Sequence, residues 1–192
     1  MKARLALIAT MCVVTVLNAC GNVANLTATI PTYTDTLSLW ALSGTPPSYP
    51  SAISIPARQI VRVDGFAAFD IAFDIDNNGK TVVYPVKLVV ASPGGSRPVG
   101  LQKIPRSFED VPAAPQTGFK TDSSYVIVPG ETLVVESPHN GSGDICQFSI
   151  SPNLYAKIAV DSVNLASRII YLRMGFDPNC GFRSFTTGIP TS

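Results

Sequence analysis

The feature that most constrains this chain is a two-residue rhythm of apolar and polar side chains, cut into short runs by proline and glycine. From Tyr33 to Phe176 the runs are rich in Val, Ile, Phe and Tyr, and stretches with a helical period are absent. Alternation places successive side chains on opposite faces of a pleated strand, whereas a helix returns to one face every third or fourth residue. Sixteen prolines and fourteen glycines end the runs, because proline cannot donate to a ladder and glycine supplies turn conformations. The pattern predicts strands near residues 33–42, 52–55, 67–75, 81–90, 123–128, 132–137, 147–150, 155–163 and 168–176. Seven to nine such strands point to an all-β fold: a single antiparallel β-sandwich with a long Pro/Gly-rich loop.

Two hairpins stand out. In the first, Phe69, Ile71, Phe73 and Ile75 alternate with Asp70, Ala72, Asp74 and Asp76, which gives one apolar and one acidic face. A two-residue type I′ turn at Asn78-Gly79 sets Asn77 opposite Lys80, Phe73 opposite Tyr84, Ile71 opposite Val86, Phe69 opposite Leu88 and Asp70 opposite Lys87. The second joins 155–163 to 168–176, with Ala156, Ile158, Val160, Ile170, Leu172 and Met174 facing inward. Pro129-Gly130-Glu131 forms a further tight turn. The architecture resembles an immunoglobulin-like or fibronectin type III-like sandwich over most of the chain. It departs from antibody domains in its landmarks, since Trp40 lies in the first strand and Cys146 and Cys180 near the carboxyl end.

The amino end imposes a different constraint. Met1-Lys2-Ala3-Arg4 is basic, residues 5–19 carry no charge, and Asn18-Ala19-Cys20-Gly21 supplies small residues. This is the layout of an export signal, and its apolar stretch falls short of the ~20 residues a membrane-spanning helix needs. Leu17-Asn18-Ala19-Cys20 resembles the lipobox of bacterial lipoproteins. That resemblance implies cleavage before Cys20 and acylation of its thiol, with the covalent lipid as the sole attached group and no cofactor. Several acyl chains hold a protein stably on a membrane, each buried methylene contributing about 0.8 kcal/mol. The implied location is the cell envelope, on the periplasmic side. Gly21 stands where aspartate favours inner-membrane retention in enterobacterial lipoproteins, which leans toward the outer membrane and leaves the choice open. The expected organisation is a signal peptide at 1–19, a lipidated cysteine and tether at 20–32, and the sandwich with its tail at 33–192.

Cys12 leaves with the signal and Cys20 is taken by lipid, so Cys146 and Cys180 are the remaining pair. An oxidising compartment favours their disulfide. The formal charge of +1 becomes −1 when Lys2 and Arg4 are removed. With no run of one sign, bulk electrostatics recruits no nucleic acid.

Residues 91–120 hold Pro93, Gly94, Gly95, Pro98, Pro105, Pro112 and Pro115 and little alternation. Long connections of this kind are usually functional or disordered. Ile104, Phe108 and Val111 within it, and Phe182 and Phe185 in the tail, are apolar and need a covering surface. They are candidate contacts for a protein partner, against the plainer reading that they pack over the sandwich.

Chemistry is harder to find. Asp74-Ile75-Asp76-Asn77-Asn78-Gly79 matches the first half of a calcium loop, making Asp74, Asp76 and Asn78 a weak cation candidate. Pro85 stands where the bidentate glutamate belongs, and a hairpin turn explains the same residues. His139, the single histidine, reads as a surface-loop residue, and one histidine cannot build a multi-histidine zinc site. No Gly-x-Ser-x-Gly elbow, phosphate-cradling glycine motif or haem-attachment motif is present in the sequence. Only a meeting in space of two acids among Glu109, Asp110, Glu131 and Asp144 is left open.

The expected function is therefore non-catalytic. In character the chain is similar to extrinsic accessory subunits of bacterial photosynthetic or respiratory complexes, which implies docking on protein subunits at the periplasmic face of a membrane. The alternative is a carbohydrate- or surface-binding adhesin module, for which Tyr49, Tyr125, Tyr155 and Tyr171 are the candidate contacts.

Overall fold

The computed structural model describes residues 28–64, 68–90, 97–139, 141–149 and 151–190. The export signal, Cys20, Phe66, Ala67, Ile150 and the start of the long loop lie outside the described residues. Ten strands are present among those described: β1 (Tyr33–Trp40), β2 (Ala52–Ser54), β3 (Gln59–Val61), β4 (Ile71–Ile75), β5 (Thr81–Pro85), β6 (Gly100–Ile104), β7 (Tyr125–Ile127), β8 (Thr132–Pro138), β9 (Asn153–Asn164) and β10 (Ile169–Asp177). One helical turn, α1 (Val86–Val89), follows β5. The strands form two five-stranded sheets, β1-β10-β9-β8-β6 and β3-β2-β4-β5-β7, and every pairing within them is antiparallel. The fold is an all-β sandwich with more strands than the seven to nine expected.

The main core lies between the sheets. Leu39, Leu133, Val135, Ile158, Leu172 and Met174 from one sheet share it with Ile53, Ile71, Phe73 and Val83 from the other. The β9–β10 hairpin carries the inward set expected of it, and Ala156, Ile158, Val160, Ile170, Leu172 and Met174 are all buried. A bulge between Tyr171 and Leu172 pairs Leu172 with Val160, which keeps the apolar faces in phase on either side of the irregularity.

The β4–β5 hairpin departs from its expected register by one residue, pairing Phe73 with Val83, Ala72 with Tyr84 and Ile71 with Pro85. The turn is the cause. Its loop has three residues: the Gly79 N–H donates to the Asp76 carbonyl, and the Asp76 N–H closes on the Lys80 carbonyl. The Asp76 carboxylate accepts from the Asn78 and Lys80 N–H groups, each at 2.8 Å, and Gly79 takes the left-handed conformation at φ 75°. A type I turn closed by a left-handed glycine displaces the two-residue type I′ form. The second strand also stops at Pro85, so Val86 and Leu88 never enter a ladder.

Two further expectations change. Residues 147–149 form a turn anchored by the Ser149 N–H on the Cys146 carbonyl, so no strand forms there. The tight turn at Pro129-Gly130-Glu131 forms as expected, with the Glu131 N–H on the Val128 carbonyl at 3.1 Å, and it joins β7 to β8 across the two sheets. The long proline-rich loop is interrupted by β6, an edge strand paired with β8 from Gly100↔Glu136 to Ile104↔Thr132.

The outer face of the β1-β10-β9-β8-β6 sheet carries a second core. The residues singled out as partner contacts are spent there: Ile104, Val111 and Phe185 pack with Ala114, Val134 and Tyr155, and Phe108 and Phe182 are also buried. The loop and tail hold each other through the Ala114 N–H on the Arg183 carbonyl at 2.7 Å and the Phe185 N–H on the Pro112 carbonyl at 2.7 Å. Paired with each other and with the sheet, the two segments turn these five side chains inward.

Candidate functional site

The densest chemistry is a buried polar cluster that joins the sheets at one pole. Asp70 enters it one residue before β4, Ser137 comes from β8, His139 follows β8, and Arg97 precedes β6. The Ile55 N–H donates to Asp70 Oδ2 at 2.6 Å, and the Ser137 hydroxyl donates to Oδ1 at 2.5 Å. Arg97 Nη2 lies 3.0 Å from the same Oδ1. Around His139, Nε2 is 2.9 Å from Ser137 Oγ, while Arg97 Nη1 is 2.6 Å from Nδ1. The same Nη1 lies 2.8 Å from Nε2, so the guanidinium faces both ring nitrogens.

Asp70, Ser137 and His139 are 0%, 0% and 2% exposed, which corrects two expectations: Asp70 does not face solvent opposite Lys87, and His139 is not a surface residue. Burial pushes the Asp70 carboxyl upward. His139, the Arg97 charge, the Ser137 hydroxyl and the Ile55 N–H together outweigh it and hold the group below its ordinary value.

Serine, histidine and aspartate invite comparison with a nucleophilic triad. In that device the imidazole lies between the other two, taking the hydroxyl proton at one nitrogen and holding the carboxylate at the other. Here Ser137 reaches the carboxylate directly, and Asp70 Oδ1 approaches the serine-facing nitrogen at 3.5 Å. The hydroxyl is already a donor and is sealed from solvent. What this arrangement does is lock the two sheets together.

A buried cation supports the outer core. Lys157, 5% exposed, donates to the Phe108 carbonyl at 2.6 Å and the Val111 carbonyl at 2.9 Å, with the Phe108 ring centroid 4.2 Å away. Gly175 sits directly across the ladder, and a Cβ there would come within 3.0 Å of the lysine stem. Burial lowers the Lys157 pKa; Glu109 opposes and Arg173 adds to that effect. Nearby, the Tyr155 hydroxyl donates to Glu136 at 2.8 Å. Its pKa is pushed up to about 12, chiefly by burial.

The weak cation candidate does not converge. Asp74 Oδ1 accepts from Arg168 at 3.1 Å and from the Ser43 hydroxyl at 2.8 Å, while the Asp76 carboxylate closes its own turn. Asp76 and Asn78 instead border a shallow groove of about 410 Å³ with Lys80, Lys103, Val126, Val128 and Glu131. The four acids left open by sequence have separate partners: Glu109 pairs with Arg173, Glu131 with Lys103, Asp110 with Ser107, and Asp144 with the Gly141 N–H. Of the tyrosines, Tyr155 is buried, Tyr125 is half-buried, and Tyr171 and Tyr49 are exposed. Tyr49 packs on Trp40 with planes tilted by 53°, which makes no flat platform for a sugar ring.

The last feature concerns how the chain enters the domain. Cys146 and Cys180 are joined in a disulfide. Beside it, the Asn179 side-chain oxygen accepts the Thr29 and Ile30 N–H groups, and its amide donates to the Ile30 carbonyl at 2.7 Å. The Asp177 carboxylate orients that amide at 2.8 Å. Two residues on, the Thr32 N–H pairs with the Gly188 carbonyl at 3.0 Å. Part of the expected free tether is thus fastened to the domain from Ala28 onward. No protein-family profile matches the chain, and no curated protein or solved structure is significantly similar to it.

Proposed function

We propose that this chain is an envelope lipoprotein whose sandwich is a non-catalytic docking module, held at the periplasmic surface by acyl chains on Cys20 and stabilising a membrane protein assembly there. The observation that carries this reading is the stitching of Thr29, Ile30 and Thr32 to Asn179 and the tail. It leaves the stretch from Cys20 to Ala28 as the leash, which spans at most about 30 Å when fully extended. A domain held that close to a bilayer meets what is embedded in it far more often than what diffuses past. The disulfide supports export, because such bonds persist outside the reducing cytosol. The internal commitment of Ser137, His139, Asp70 and Lys157 supports a role without chemistry of its own.

We further propose that the sandwich is of the immunoglobulin-like type, on the strength of its two antiparallel sheets and the crossing at Pro129–Glu131. Assemblies of the photosynthetic or respiratory kind are the partners that suit its character. The test is mass spectrometry of the protein in gently solubilised native membranes. An acylated amino-terminal Cys20 and co-eluting membrane subunits are the expected result, with a Cys20→Ala variant released into the soluble fraction. A different mature terminus overturns the placement, and elution always alone overturns the docking role.

A further inference from the structure

Apolar side chains gather where the chain enters the domain. Phe148 is 93% exposed and Ile145 56% exposed, both within the turn that the disulfide pins beside Asn179. The Cα atoms of Cys146 and Cys180 are 5.8 Å apart, so covalent geometry keeps the Phe148 Cα within about 17 Å of that of Asn179. Ile30, held by Asn179, and Ile189, next to the Gly188 that pairs with Thr32, are exposed as well. The loop that carries Ile145 and Phe148 is otherwise closed on itself. Asp144 caps the Gly141 N–H at 3.0 Å and Gln147 accepts from the Gly143 N–H at 2.8 Å, while its two largest apolar side chains stay exposed.

We propose that this pole is a membrane contact, with Phe148 and Ile145 entering the acyl-chain boundary of the bilayer that holds the lipid anchor. The occupant follows from where the described chain starts. Residues 20–27 leave from Ala28, beside this loop, and the extended reach to Cys20 is about 30 Å. Acyl chains on Cys20 therefore bring a lipid surface to this end of the sandwich. The opposite pole holds the β9–β10 turn with Leu165, because β1 runs from Tyr33 opposite Phe176 to Trp40 opposite Ile169, a length of about 27 Å. An aromatic and a branched aliphatic side chain on a loop closed by a covalent bond can be buried in lipid at little ordering cost. Their contact fixes which pole faces the bilayer and turns a loose leash into an oriented mount. The inference rests on the anchor proposed above, and its test is built to stand without native acylation.

The mature chain, starting at Cys20, is coupled through that thiol to a maleimide-bearing phosphatidylethanolamine in vesicles of phosphatidylethanolamine and phosphatidylglycerol, with the disulfide intact. On a Trp40→Phe background, the Phe148→Trp variant should show blue-shifted emission and strong quenching by lipids brominated on the acyl chains. A Leu165→Trp variant on the same background should show neither. Without coupling, the Ile145→Ser and Phe148→Ser changes should each weaken partitioning into the same vesicles by on the order of tenfold. An unquenched Phe148→Trp variant overturns the membrane contact, as does equal quenching at both poles. Mass spectrometry of the native terminus decides acylation separately, so either idea can fail alone.

Discussion

Replacing Asp70 by Asn is the sharpest probe of the cluster that joins the two sheets. The change removes the charge facing Arg97 while leaving an oxygen for the Ile55 N–H. Removing one partner of a buried ion pair costs about 3–5 kcal/mol. Arg97 is 26% exposed and can rehydrate, which places the loss near the lower end, at about 3 kcal/mol. An Asp70→Ala change also strands the Ile55 N–H and the Ser137 hydroxyl, adding about 2 kcal/mol. For a domain of this size 3 kcal/mol corresponds to a fall of about 6–12 °C in Tm. The assay is urea and thermal unfolding of wild type and Asp70→Asn across pH.

The pH dependence follows from the direction of the shift. Asp70 is held below its ordinary value, so the folded state binds fewer protons than the unfolded state through that window. Its contribution is complete above the unfolded value of about 4 and is lost as pH falls through the lower folded value. The gap between wild type and Asp70→Asn should be widest at pH 7 and close below about pH 4. A variant within about 0.5 kcal/mol of wild type at pH 7, as for an ordinary surface change, or a gap that ignores acid, would refute the reasoning.

Other perturbations test the remaining joints. A Cys146→Ser/Cys180→Ser double variant should lose about 4 kcal/mol by the chain-entropy argument for a loop of this length, read by urea unfolding against the oxidised parent; an unchanged midpoint would count against it. Lys157→Met keeps the apolar stem but orphans the Phe108 and Val111 carbonyls, so a loss of about 2–5 kcal/mol is expected, with faster amide exchange at Ala114 and Phe185. Stability and exchange both at parental values would show that the lysine does not hold the arms. Asn179→Ala should speed exchange of the Thr29 and Ile30 amides at least tenfold while leaving the β9–β10 ladder protected, because only the entry segment depends on that side chain. Unchanged exchange at those two amides would remove the clamp.

Where the chain's own neighbours decide structure, the sequence was readable. The β9–β10 hairpin follows from local alternation alone, and its six inward residues are all buried, although part of its other face is buried as well. The β4–β5 register differs by one from the expected pairing because two turn chemistries compete at Asp76–Lys80, and the Asp76 carboxylate tips the balance toward the longer loop. Asp70 shares the parity of Asp74 and Asp76, and alternation groups the three as a solvated face. Its partners Arg97, Ser137 and His139 come from elements far along the chain, and no local pattern announces their arrival. A lysine in the middle of a strand reads as a solvent-facing residue for the same reason. Only the arriving Phe108 and Val111 carbonyls make the interior the better place for Lys157, and the contact role expected of Phe108, Val111 and Phe185 disappears into that second core. The Asn179 clamp left one faint trace, an asparagine next to a cysteine in a polar tail, which carries no meaning until the amino end lies against it.

The pairing of β1 with β10 also orders events in time. Among the described strands, β1 has its one sheet partner in β10, so a nascent chain holds Leu37 and Leu39 without that ladder until residues 169–176 have emerged. Contacts separated by so much chain close slowly. A cell that makes this protein must shield that strand through the delay, and truncation before Ile169 would leave it permanently unzipped.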